Sequence, residues 1–155
     1  MVESVNPIPE GFHTATPMLA IRDAARAIEF YKTALGATEI MRLTDPTGAI
    51  AHAEIQIGDS IIMVAEENSE FNASPQKLGG STVILNLYVE DVDALVQQAV
   101  DAGAQVIYPV KDQFYGDRSG RIVDPFGHIW IVSTHIEDVS PDEMKARFDA
   151  MFSNV

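Results

Sequence analysis

The sequence predicts an α+β fold built from two tandem βαβββ modules, and three observations carry that reading. The first is an internal repeat. Leu19-Ala-Ile-Arg-Asp23 superposes on Leu87-Tyr-Val-Glu-Asp91 at an offset of 68, and Ile61-Ile-Met-Val64 superposes on Ile129-Trp-Ile-Val132 at the same offset. The second is a pair of matching helical stripes: Ala24, Ala27, Ile28 and Tyr31 recur as Val92, Leu95, Val96 and Ala99. The third is turn chemistry between the expected strands, with Asp-Pro-x-Gly sequences at 45–48 and 124–127 and Gly-Asp at 58–59.

Taken in chain order, an N-terminal arm (1–13) precedes module one (14–65). That module reads as a strand over 14–21, a helix over 24–35 and strands over 38–44, 50–57 and 60–65. Asp23 is placed to cap the helix and Gly36 to stop it. Residues 66–81, polar and holding Pro75, Gly79 and Gly80, read as a linker. Module two (82–135) repeats the order with a strand over 82–89, a helix over 92–102 stopped by Gly103, and a strand over 105–110. A longer loop over 111–118 and strands over 119–123 and 128–134 complete it. The tail (136–155) opens with Ser140-Pro-Asp-Glu143, a capping box, and Met144, Phe148, Met151 and Phe152 make its helix amphipathic, suited to packing on this subunit or a partner.

Composition bounds the function. The 155 residues are 46% hydrophobic and 21% charged, an ordinary globular make-up. Zero Cys excludes disulfides, thiolate zinc sites and a cysteine nucleophile, and fits a reducing compartment. No apolar run is long enough to span a membrane, and the start carries neither the basic nor the apolar region of a signal peptide, so a cytoplasmic protein is expected. Ten Lys and Arg stand against 23 Asp and Glu, a formal net charge of −13. Nucleic acid and anionic membranes would be repelled, while a cationic small molecule would be attracted. No nucleophile elbow, P-loop or dinucleotide fingerprint is present.

Two consecutive βαβββ modules resemble the vicinal oxygen chelate superfamily, which includes glyoxalase I, extradiol dioxygenases, fosfomycin resistance enzymes and bleomycin resistance proteins. The phrases PIPEGFHTATPMLAI (7–21), AHAEIQIGDSIIM (51–63) and FYGDRSGRIVDPFGHIWIVSTHIEDVSP (114–141) are similar to its PhnB-like branch. The resemblance implies curved mixed sheets around a pocket, with side chains alternating between the pocket and the helix-packed face. It also places four metal-ligand positions on the first and last strands of the modules, here Thr16, Met63, Ile84 and Ile131. None of these offers an imidazole or a carboxylate, so no metal and no cofactor is expected.

On that frame the candidate ligand-binding residues are Thr16, Met18, His52, Glu54, Gln56, Met63, Ile84, Asn86, Tyr88, Tyr115, Arg118 and Ile131, with Ile129 adding apolar surface. His52, Glu54 and Gln56 share one strand face, opposite Ala51, Ala53, Ile55 and Ile57, and form the best polar constellation in the chain. Asn86 and Tyr88 are either ligand contacts or internally satisfied. Tyr115, Gly116, Asp117 and Arg118 either line the pocket mouth or brace the second Asp-Pro-x-Gly turn through an Asp117–Arg118 pair. His13 reads as a solvated arm residue and His128 as structural; His135 ends its strand on the pocket side; Trp130 reads as core. The favoured function is metal-free binding of a small molecule by a homodimer, with sequestration of a cationic or aromatic compound, as in bleomycin-resistance members, as the form the resemblance implies. The alternative is a lyase or isomerase with His52 and Glu54 as the catalytic acid–base pair, or with a displaced metal.

Overall fold

The computed structural model describes residues 4–153; the first three residues of the arm and the last two of the tail lie outside the described residues. The chain divides into two compact units that meet between Gly80 and Ser81.

The first unit holds β1 (Met18–Ile21), α1 (Ala24–Leu35), β2 (Thr38–Thr44), β3 (Ile50–Ile57), β4 (Ser60–Glu66) and the short α2 (Pro75–Leu78). Its four strands lie in the order β1-β4-β3-β2, with β1 parallel to β4 and the other pairs antiparallel. One sheet face packs under α1. Leu19, Ile21, Ala53, Ile55, Ile62 and Val64 supply the strand side of this core. The helix stripe supplies the other, with Ala24, Ala27, Ile28 and Tyr31 fully buried. Burying each of the larger side chains contributes about 1.5–3 kcal/mol.

The ends of α1 are fixed from two directions. Asp23 caps it with φ 66°, and the Glu66 carboxylate at the end of β4 accepts the Asp23 and Ala24 N–H groups at 2.9 and 2.8 Å. Gly36, at φ 67°, closes the other end and returns its N–H to Tyr31. An extended first strand over 14–21 is expected from sequence, whereas pairing begins only at Met18. Strict alternation in β3 also fails at its start. Thr44 pairs with Ile50 after Leu43 has paired with His52. This β-bulge buries Ile50 and leaves Ala51 exposed, so Ala51 does not share the face of Ala53, Ile55 and Ile57.

The second unit holds β5 (Ile84–Tyr88), α3 (Val92–Ala102), β6 (Gln105–Asp112), β7 (Asp117–Val123), β8 (Ile129–His135) and α4 (Pro141–Ala150). Its strand order, β5-β8-β7-β6, and the parallel β5–β8 pair repeat the topology of the first unit. Trp130, Val132 and Ile122 pack with Val92, Val96 and Ala99 of α3. Asp91 caps α3, and Thr134 performs the task of Glu66: its Oγ1 accepts the Val92 N–H at 2.9 Å.

Half of the expected loop over 111–118 is strand, because β6 runs to Asp112 and β7 starts at Asp117. Only 113–116 remain, closed by Gly116 at φ 99°. α4 is capped by the Ser140 hydroxyl, which accepts the Glu143 N–H at 3.2 Å. Its apolar stripe is only partly covered: Phe148 meets Phe114 at 5.7 Å and Phe152 at 5.0 Å between ring centres, while Phe148, Met151 and Phe152 stay exposed. The helix is tied down chiefly by Arg147, which donates to both Glu137 carboxylate oxygens and to the Phe114 carbonyl. Among the described residues, no helix is long and apolar enough to cross a membrane.

Candidate functional site

Each sheet has a face turned away from its helix, and both faces carry a pocket. In the first unit, register sets a row across all four strands. Met18 pairs with Met63, Met63 with Glu54, and Glu54 with Met41. The arm folds back over this face, and a Cβ added at Gly11 would lie 3.4 Å from the Ile61 side chain. The result is a pocket of about 620 Å³ walled by Pro7, Ile8, Pro9, Phe12, Thr16 and Met63, with Glu54 and the otherwise exposed His13 at its polar points. His52 and Glu54 are half-buried neighbours, with Nε2 and Oε1 3.2 Å apart. Gln56 is exposed and donates to the Gly58 carbonyl at 3.0 Å, which occupies its amide in the adjoining turn.

In the second unit the corresponding rows are Asn86–Ile131–Arg121–Tyr108 and Tyr88–Ser133–Ser119–Lys111. A pocket of about 270 Å³ lies here, lined by Tyr108, Lys111, Gln113, Tyr115, Ser119 and Arg121, with Ile131 contributing its floor. The Arg121 guanidinium lies 5.1 Å from the centre of the Tyr108 ring, a cation–π contact. The Tyr115 hydroxyl is 3.4 Å from Ser119 Oγ. Beside the pocket, the buried Asp117 carboxylate accepts the Tyr88 hydroxyl at 2.7 Å and meets His135 Nδ1 at 2.8 Å. His135 Nε2 meets Asp138 at 2.8 Å. The hydrogen bond to Asp117 raises the Tyr88 pKa, and the bonds to Asp117 and then Asp138 raise that of His135.

All of the expected site residues but Gln56 and Arg118 thus fall into three groups. Thr16, Glu54 and Met63 are gathered at the first pocket, with Met18 exposed one strand away and His52 against Glu54. Tyr115 and Ile131 line the second pocket. Ile84, Asn86 and Tyr88 stand exposed on the same sheet, and the two polar ones are internally engaged: Asn86 Oδ1 accepts the Ser133 hydroxyl at 2.9 Å, and Tyr88 is committed to Asp117. Arg118 leaves the pocket altogether. Its guanidinium pairs with Asp93 on α3 and with Asp112, so the expected Asp117–Arg118 brace is not formed. The second Asp-Pro-x-Gly turn is braced instead by Asp124, which accepts the Phe126, His128 and Trp130 Nε1 N–H groups at 2.9, 3.0 and 2.9 Å.

Sequence reasoning missed Tyr108, Lys111, Gln113, Ser119 and Arg121. A signal for part of this set was present: Asp117, Ser119 and Arg121 alternate with Gly120 and Ile122 just as His52, Glu54 and Gln56 alternate with Ala53 and Ile55. Starting the strand two residues late hid the pattern.

The donor set at the four family metal positions can be tested against chemistry. Thr16 and Met63 face the first pocket, and Ile131 faces the second, with Ile84 on the same sheet face. One hydroxyl, one thioether and two hydrocarbons do not fit a divalent ion that needs imidazole or carboxylate donors. Among the described residues, no three His, Asp or Glu side chains gather in a metal-binding group.

Comparison with known proteins bears on what this doubled unit is. An uncharacterized protein of Mycobacterium bovis, Mb0911c, is 38% identical over 135 residues, covering 84% of this chain and 89% of that one. TioX from Micromonospora sp. ML1 superposes with a TM-score of 0.62 at 27% identity, covering 83% of this chain and 100% of TioX. The Arabidopsis thaliana At5g48480 product gives a TM-score of 0.63 at 30% identity, covering 79% and 98%. The model of the Glyoxalase/Bleomycin resistance protein/Dioxygenase superfamily matches residues 12–132, from the arm that roofs the first pocket to the strand that floors the second. With the repeated topology, that match settles the family: the chain belongs to the glyoxalase/bleomycin resistance protein/dioxygenase superfamily.

Proposed function

We propose that this protein binds a small, largely apolar molecule without a metal, holding a cationic or hydrogen-bond-donating group of that molecule against Glu54. The observation that carries the reading is the first pocket: ligand-sized, walled by proline, aromatic and thioether surface, with a carboxylate at its base. Sequestration of a cationic or aromatic compound suits this lining and the net charge of −13. The phrases at 7–21, 51–63 and 114–141 favour the PhnB-like branch of the superfamily. The exposed Ile8, Phe148 and Phe152 supply apolar surface suited to a homodimer, which light scattering at micromolar concentration tests; a monomer there would refute it.

A screen of cationic, neutral and anionic aromatics by thermal shift tests the binding role. A matching ligand at about 100 times its Kd adds about 2.7 kcal/mol to stability, a rise of roughly 5–10 °C. Glu54→Gln keeps the shape and removes the charge, so it should weaken cations about tenfold and neutral ligands little. Equal affinities in the variant would sink the assignment.

One observation favours a second reading. The His52–Glu54 contact is a competent acid–base pair for a lyase or isomerase. That reading requires turnover of a carbonyl substrate that disappears in Glu54→Gln while binding persists.

A further inference from the structure

The protein carries 23 acidic against 10 basic side chains, and most of its cations are held by carboxylates. Arg22, Lys32, Arg42, Arg118, Lys145 and Arg147 all form ion pairs. Lys111 and Arg121 form none among the described residues, and both line the second unit's pocket. The lining described for that pocket includes no carboxylate. A locally basic site in a strongly acidic protein does not follow from average surface composition.

Arg121 sits half-buried with one face over Tyr108. The contact with the ring steadies the guanidinium, and with no carboxylate partner among the described residues its fork of N–H donors is available to whatever enters the pocket. A carboxylate matches that fork with two parallel hydrogen bonds, and Lys111 adds a second positive charge on the neighbouring strand. The remaining walls, Tyr108, Tyr115 and Ile131, suit a flat apolar body. At about 270 Å³ the pocket lies just below the usual range for small-molecule sites, about 300 Å³ and up, which restricts it to a small ligand.

We infer that the second unit carries its own binding site, in which Arg121 and Lys111 hold the carboxylate of a small planar aromatic acid. A monoanion is favoured over a phosphate dianion, because the net charge of −13 repels the dianion more strongly. This site stands apart from the Glu54 reading and is tested separately from it.

The test uses the full-length protein and a matched pair of probes, 2-naphthoate and the isosteric but uncharged 2-naphthamide, followed by calorimetry and by NMR shifts. The wild type should prefer the acid by about tenfold or more. Arg121→Gln should reduce that preference to about twofold or less, and Lys111→Gln, at an exposed position with little packing to lose, should lower it about threefold. Lys145→Gln, which removes one positive charge outside the lining of either pocket, should leave the preference intact. Near-ultraviolet circular dichroism establishes that each variant is folded, and if Arg121→Gln is not, Lys111→Gln carries the test. The inference is overturned if the amide binds as well as the acid, or if 2-naphthoate does not bind at millimolar concentration. It is equally overturned if the folded pocket variants keep the wild-type preference, or if the same loss appears in Lys145→Gln.

Discussion

In the first unit Glu54 stands between Met63 and Met41 on the open face of its sheet; in the second, Arg121 stands between Ile131 and Tyr108. The two positions are equivalent by strand pairing, since Met63 and Ile131 are related by the repeat. One scaffold therefore presents a carboxylate in one copy and a guanidinium in the other. The backbone tolerates this because neither side chain packs under a helix, so only the pocket senses the exchange.

The opposite holds for the turns. Asp45 and Asp124 open identical Asp-Pro-x-Gly turns, each accepting N–H groups two and four residues on. They serve different hairpins, however: Asp45 joins β2 to β3, and Asp124 joins β7 to β8. Asp45 is exposed, while Asp124 is 4% exposed and also satisfies the Trp130 indole. The same local geometry is therefore a surface device in one unit and a core device in the other.

The sharpest way to break this comparison is to remove both aspartates. Asp124→Ala leaves a buried indole N–H and a turn without partners, at a cost of about 3 kcal/mol or more. Asp45→Ala, where water replaces the lost acceptor, should cost about 1 kcal/mol. Urea midpoints measure both, and equal losses would mean that burial does not distinguish the two turns.

A smaller effect is expected at Ala53 and Gly120, which face Val64 and Val132 at equivalent register. A Cβ on Gly120 would lie 2.8 Å from the Val110 side chain and 3.2 Å from its backbone nitrogen. Gly120→Ala should therefore cost about 1–3 kcal/mol by overpacking, although alanine is the resident of the matching site in the first unit. A thermal melt that is unchanged would show that β6 yields freely.

The smallest effect is in pH response, where the units run in opposite directions. Glu67 follows β4 and bonds to Ser74 and then Arg22, which lowers its pKa to about 2. Its contribution is complete above the ordinary carboxylate value of 4.5 and is lost as pH falls towards 2. His135 in the second unit has a raised pKa, so its contribution is complete below 6.5 and is lost as pH rises through the folded value. Both groups are solvent-accessible, so the stability changes will be slight, but an NMR titration should place the His135 midpoint above 6.5. A midpoint at or below 6.5 would refute the Asp117 and Asp138 bonds.

How much of this was legible follows from what each feature depends on. The repeat, both helices with their caps, and the Glu54 face depend on local periodicity, and so appear directly in the residue order. The bulge at Ala51 depends on a one-residue mismatch between β2 and β3, which flips parity without altering composition. Arg118 shares a short stretch with Asp117, yet strand alternation sends the two to opposite faces, and its partner Asp93 lies on a helix 25 residues earlier. The second pocket was obscured because the stretch 111–118, which holds Gly116, reads as loop, whereas hydrogen bonding across the β6–β7 pair keeps Lys111, Asp112, Asp117 and Arg118 extended.

Gly116 also ties the second unit's hairpin to chain that follows its last strand. Its carbonyl accepts the Ile136 and Glu137 N–H groups at 2.9 and 3.0 Å, and a Cβ there would collide with the Glu137 carbonyl oxygen. The hairpin that carries Lys111, Tyr115 and Arg121 is therefore fastened to chain made some twenty residues after it. A ribosome must release that segment before the hairpin has its final neighbours, whereas the first unit has every strand available once Glu66 has emerged. A nascent chain stalled between these points would hold a finished first sheet and an open second one.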